Sequence, residues 1–290
     1  MLDTIPHDYD FPVEMINLEA IKQPAECPDG KFHRYEVPRN MARALVRPDT
    51  GAVLGIHGSK YKPINHTDVV DRIMDGIDQC KFGKSTTDIK VYDNGAKMKG
   101  TVTFDDLVIE PQLDDIIKFR INFFNSYDAT WAFSTVCDGL RLWCMNGCTS
   151  PVNASTLRFK HTTNVNINSI AQRIQSANQF FMDSESDYKE WATIELDGMA
   201  VQKFLERTVC KTFKRSTNSI PYNVTQVEAL LKQYDAEATT LGRTKWALYN
   251  ALTYWSTHTD HLDRGHTIAK DRETLVAKAL TTNDWQMLVA

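Results

Sequence analysis

From Lys118 to Phe123 the chain alternates residue by residue: Lys118, Arg120 and Asn122 against Phe119, Ile121 and Phe123. A period of two sends successive side chains to opposite sides of an extended strand. The stretch therefore belongs to a sheet with one wet face and one packed face. Further on the period changes. Ile167, Ile170, Ala171, Ile174 and Ala177 recur at helical spacing and form one apolar stripe. A β-rich segment over about residues 40–140, followed by a mostly helical half, is an α+β layout with an antiparallel core.

Local signals fill in the order. "ALVR" and "AVLGIHG" flank "PDTG", whose Pro48, Asp49 and Gly51 suit a turn between two strands. Val69, Val70, Ile73, Ile77 and Cys80 predict a helix capped by Asn65 or Thr67. "DNG" at 93–95 predicts a hairpin, because Asn and Gly tolerate positive φ. "NSYDAT" predicts a second turn between strands, "DGMAVQKFLERTVCKTF", "NVTQVEALLKQYDAEATTLG" and "TKWALYNALTYWSTHT" predict helices, and "DRETLVAKALTTNDWQML" closes the chain within the α-rich remainder. "GLRLWCMNGCTSPV" reads equally as a strand end or a helix turn.

The chain has 290 residues, enough for one large or two small domains. The expected organisation is an extended N-terminal arm over 1–40, a β-rich core over 41–165 and a helical region over 166–290 packed on it as one globular unit. No apolar run is long enough to span a membrane. The acidic start "MLDTIPHDYDFPVEM" does not read as a secretory signal, so reduced cysteines in a cytoplasm are expected.

The formal charge of −4 carries no nucleic-acid signature by itself, but the charge is segregated. No Asp or Glu occurs from Arg141 to Met182, a stretch holding Arg141, Arg158, Lys160, His161 and Arg173 among many Asn and Thr side chains. A second acid-free stretch, Arg207 to Val227, carries Lys211, Lys214 and Arg215. Local field rather than net charge attracts a polyanion. These cations are candidates for phosphate contacts, with Trp143 and Phe159 as candidates for stacking on single-stranded bases. The competing reading is an ordinary solvated surface.

Other chemistry finds less footing. Cys144 and Cys148, spaced C-x3-C, with Cys137 and His161, fit a zinc site only loosely, and packed thiols at an Asn146–Gly147 turn fit as well. His258, His261 and His266 lie beside Asp260 and Asp263 without the H-E-x-x-H arrangement. Neither phosphate-cradling glycine motif nor a nucleophile elbow occurs. No catalytic residue, metal ligand or cofactor is assigned. Trp246, Tyr249, Leu252 and Tyr254 are expected in the core.

Several segments together resemble a phage and plasmid protein family, the domain of unknown function 932. They are "LGIHGSKYKPINHTDVVDRI", "NSYDATWAFSTVCDGLRLWCMNGC", "LRFKHTTN" and "WALYNALTYWSTHTDH", covering roughly residues 45–265. The chain departs from the pattern at Ala129, where the family often has Gly, and at Asn146-Gly147-Cys148. The resemblance implies a mobile-element setting in a bacterial host cytoplasm. The order helix, antiparallel strands, helix is broadly similar to phage single-strand annealing proteins, a fold-level analogy. Three functions follow as expectations: a single-stranded-DNA-binding or annealing protein self-associated in rings or filaments, a non-enzymatic structural or host-interaction protein, and a metal-dependent hydrolase or nuclease.

Overall fold

A computed structural model describes residues 8–22, 31–141, 147–148, 156–159, 167–212, 221–258 and 265–289, with backbone alone at 21–22, 147–148, 156–159, 167–169 and 265–270. Strands β1 (Glu14–Asn17), β2 (Glu19–Lys22), β3 (His33–Glu36), β4 (Arg43–Arg47) and β5 (Ala52–His57) precede helix α1 (His66–Cys80). Then come β6 (Ser85–Tyr92), β7 (Lys97–Ile109), β8 (Ile117–Ser126), β9 (Phe133–Arg141), β10 (Gly147–Cys148) and β11 (Thr156–Phe159). Helices α2 (Ile167–Thr193), α3 (Gly198–Arg207), α4 (Val224–Leu241), α5 (Lys245–Thr257), α6 (Gly265–Leu280) and α7 (Asn283–Gln286) follow. Antiparallel sheets followed by a mainly helical half make the α+β class.

The larger sheet has the order β10-β9-β8-β7-β6, with β11 also on β9. The edge of β9 is used twice: Leu140 and Gly139 pair with β10, while Phe133 to Val136 pair with β11. The alternation expected of this sheet holds along β7 as far as Phe104 and along β8 as far as Phe124, except at Asn122, which was expected on the wet face and is buried. Met98, Val102, Phe104, Phe119, Ile121 and Phe123 are buried, while Lys97, Lys99, Thr101, Lys118, Arg120 and Phe124 are partly exposed. The chain divides into two compact units, and β7, β8 and β9 supply residues to both.

The first unit comprises Met1–Val102, Ile121–Val136 and Thr156–Gln175. Its smaller sheet has the order β1-β4-β5, with strand β1 of the N-terminal segment paired along β4. Phe11, Val13 and Met15 pack against Leu45, Leu54, Ala96 and Tyr127. Between β4 and β5 the PDTG turn closes with Gly51 at φ +74°, in the left-handed region that glycine tolerates. The DNG turn takes Asp93, Asn94 and Gly95 through positive φ in succession, which is why Asn and Gly stand there. Helix α1 meets α2 at Gly76: a Cβ there would lie 2.9 Å from Ile170 Cγ2.

The second unit comprises Thr103–Arg120, Cys137–Ser155 and Ser176–Ala290. Helix α5 is buried all round, from Lys245 through Thr253, as a helix apolar on most sides must be. Tyr188, Trp191, Trp246, Tyr249, Phe204 and Trp285 form one aromatic cluster, with neighbouring ring centroids 4.8–5.6 Å apart. Trp246, Tyr249 and Leu252 are core residues, as their spacing indicated, while Tyr254 is partly exposed. The closing segment 271–288 holds the end of α6 and the short α7. The Thr282 side chain accepts from the Trp285 N–H and starts α7 afresh.

Candidate nucleic-acid interface

Two of the segments carrying the family resemblance meet in the first unit. "LGIHGSKYKPINH" supplies β5, a tight turn and the start of α1; "NSYDATW" supplies the end of β8 and the turn after it. Their meeting point is His66, which is fully buried. Its Nε2–H donates to the Gly95 carbonyl at 2.9 Å, and its Nδ1 accepts from Asn125 Nδ2 at 3.0 Å. The carbonyl can only accept, so the tautomer is fixed with the proton on Nε2. Asn125 Nδ2 also donates to Ile64 O at 3.0 Å. The His66 backbone N–H donates to the Tyr127 hydroxyl at 3.0 Å, and the two rings lie 4.3 Å apart. Burial pushes the His66 pKa down to about 4, although the Gly95 bond pulls the other way. Burial likewise raises the Tyr127 phenol. This cluster is a lock of neutral groups that fixes the turn at Tyr127.

The turn positions two surfaces. On one side, His57 Nε2–H donates to Tyr127 O at 2.5 Å, and the ring stacks on Tyr61 with centroids 3.7 Å apart. Gly55 is obligatory here, because a Cβ would come within 2.5 Å of both Tyr127 O and His57 Nε2. On the other side, Ser126 Oγ donates to Trp131 O and accepts from Trp131 N, each at 3.0 Å, so one hydroxyl clasps the backbone of that residue. The Trp131 ring then stands edge-on to Phe124, centroids 5.8 Å apart, and to Tyr92, 6.2 Å apart. Tyr92 is 41% exposed, and Phe124 and Trp131 are half-buried. Lys97 Nζ lies 5.9 Å from the Trp131 ring and Lys99 Nζ 5.9 Å from the Phe124 ring. Thr101 donates to the Oδ1 of buried Asn122 at 3.0 Å.

Carboxylates temper the charge of this platform. Lys97 pairs with Asp93 at 2.7 Å and with Asp128 at 3.4 Å. The Asp93 hydrogen bond is the main cause that raises the Lys97 pKa. Burial pushes the Asp128 carboxyl up, but hydrogen bonds from Thr130 and Ser126 and the Lys97 charge outweigh it and hold the group low. What the face offers a ligand is chiefly π surface, with ammonium groups at its margin.

The candidates named from the acid-free stretches do not gather in one described place. Arg141 is corrected: it is 1% exposed in the second unit. Its Nε donates to Asp115 Oδ1, and its Nη1 to Glu237 Oε2 at 3.1 Å. Asp115 also accepts from Trp246 Nε1 at 2.8 Å. A buried guanidinium between two carboxylates cannot track a phosphate chain. Arg173 is exposed on α2 in the first unit, and Lys211 is exposed beside Tyr222 in the second. Arg158 and Phe159 lie on β11 and have only backbone described. Trp143, Lys160, His161, Lys214 and Arg215 lie outside the described residues.

Cys137 is a buried cysteine, Cys148 is a backbone position in β10, and Cys144 lies outside the described residues. His258 stacks on Tyr254 at 4.0 Å, His266 has only backbone described, and Asp260, His261 and Asp263 lie outside the described residues. Among the described residues no helix is long and apolar enough to cross a membrane. The platform residues Tyr92, Lys97, Lys99, Phe124 and Trp131 were absent from the sequence candidates. One signal was available: Phe124 continues the polar register of Lys118, Arg120 and Asn122, so an aromatic ring sits on the wet side.

The sequence profile of the domain of unknown function DUF932 matches residues 53–283, and the chain belongs to that family. No curated protein and no solved structure gives a significant match.

Proposed function

We propose that this chain is a single-stranded-DNA-binding or annealing protein of a phage, acting in replication or recombination. The observation that carries the reading is the trio formed by Tyr92 and Phe124 on the sheet and Trp131 in the turn after β8, bordered by Lys97 and Lys99. Neighbouring, partly exposed rings give bases something to stack on whatever their sequence, and ammonium groups accompany the backbone. The succession of α1, antiparallel strands and the long α2 adds support, since it is the order on which the likeness to annealing proteins rests. Binding and pairing strands needs no covalent chemistry, and self-association in rings or filaments belongs to the same proposal.

The test is fluorescence anisotropy with labelled oligo-dT and with duplex of the same length. Wild type binds the single strand in preference to the duplex. Trp131→Ala and Tyr92→Ala each weaken single-strand binding by about 1–3 kcal/mol, the usual worth of one stacked base. Equal affinities for wild type and both variants would overturn the reading.

A second reading, a structural or host-interaction protein, draws on a different surface. Ile16 and Ile56 lie across Ala44 on the outer side of the small sheet, 43% and 61% exposed, and Val53 is 63% exposed nearby. An apolar sheet face left in water suits a protein contact. Light scattering with Ile56→Lys separates the two readings: loss of an assembly with DNA binding intact assigns this face to protein contact.

A further inference from the structure

The turn at Tyr127 borders a second surface that the stacking platform does not use. Gly58 O accepts from Tyr61 N at 3.1 Å, closing a tight turn with Ser59 and Lys60 at its corner. Asn40, His57, Gly58, Ser59, Lys60 and Tyr61 line an open hollow of about 530 Å3. None of these six is acidic. They supply an amide, a hydroxyl, an ammonium group and two stacked rings. Among the described residues the Lys60 ammonium makes no ion pair. Asp128, whose charge acts on Tyr61, is already engaged by the Thr130 hydroxyl at 2.6 Å and by Lys97. Donors and one cation beside an aromatic wall match the two halves of a nucleotide: phosphate oxygens for the first, a base for the second.

We infer that this hollow holds one nucleotide, free or as a residue of a single strand, with its phosphate on Lys60, Ser59 and Asn40 and its base against His57 and Tyr61. The inference deepens the single-strand reading. The residues Tyr127 to Trp131 join the hollow to the stacking platform within one unit, so a strand leaving the platform reaches the hollow over that turn. The Gly58–Tyr61 turn supplies recognition, and the His66 lock beneath holds its two sides in place.

The experiment uses the full chain with dTMP, thymidine and inorganic phosphate followed by NMR or calorimetry, and oligo-dT followed by anisotropy. Wild type binds dTMP more tightly than either thymidine or phosphate. Lys60→Ala weakens dTMP binding about tenfold, the loss of one charge-assisted contact, and Lys60→Arg restores most of it. Lys60 is exposed and outside the core, and an unchanged denaturation midpoint in both variants shows the fold intact. If dTMP binds through Lys60 while oligo-dT does not bind, the nucleotide site stands and the strand reading falls. If oligo-dT binds and Lys60→Ala changes neither ligand, the hollow is refuted and the platform stands. Thymidine binding as tightly as dTMP also refutes it.

Discussion

Ala129 sits at φ +62°, where a Cβ strains against the backbone, at the position where the family pattern often has Gly. Ala129→Gly is therefore expected to stabilise the protein by about 1 kcal/mol, read as a higher urea midpoint with unchanged slope. A lower midpoint would show that the alanine methyl group contributes more by packing than it costs in strain. His66 makes a second prediction at this scale. Its folded pKa is about 4 and its unfolded value about 6.5. Between the two, the unfolded chain holds the extra proton. Stability from this group is complete above about pH 6.5 and is lost as pH falls toward 4, by roughly 3 kcal/mol at most. In His66→Gln the melting midpoint varies less steeply over that interval. A variant curve as steep as wild type assigns the acid sensitivity to another group.

At the scale of elements, the ion network of the second unit joins the end of β9, the loop before β8, and helices α4 and α5 through Arg141, Asp115, Glu237 and Trp246. Replacing Arg141 with Met leaves two buried carboxylates without their counter-charge. That costs about 3–5 kcal/mol in chemical denaturation, and adding Glu237→Gln recovers part of it. A loss below about 1 kcal/mol would mean the carboxylates find water. The same network explains why the sequence misled about Arg141. An acid-free stretch describes neighbours along the chain, whereas Asp115 and Glu237 come from 26 and 96 residues away. Strands β7 to β9 were legible because long alternating runs carry their own period. Strands β10 and β11, two and four residues long, carry none; they exist because the edge of β9 accepts them. Phe124 could be read from its register, but Trp131 could not, since a serine hydroxyl five residues earlier sets its backbone.

For the whole molecule, charge limits how it would hold a strand under the proposed single-strand reading. The net charge is −4, and Lys97 on the platform is already paired with two aspartates. Few condensed counterions are displaced by two ammonium groups, so the slope of log affinity for oligo-dT against log salt is about −1 to −2. A slope near −7 would assign binding to cations away from the platform. The buried imidazole adds a reporter of a different kind. Acylating reagents attack a ring nitrogen lone pair, and the one lone pair of His66 is occupied by an amide in the interior. Carbethoxylation of that residue thus proceeds only in molecules whose first unit has transiently opened, and its rate is a chemical clock for that opening.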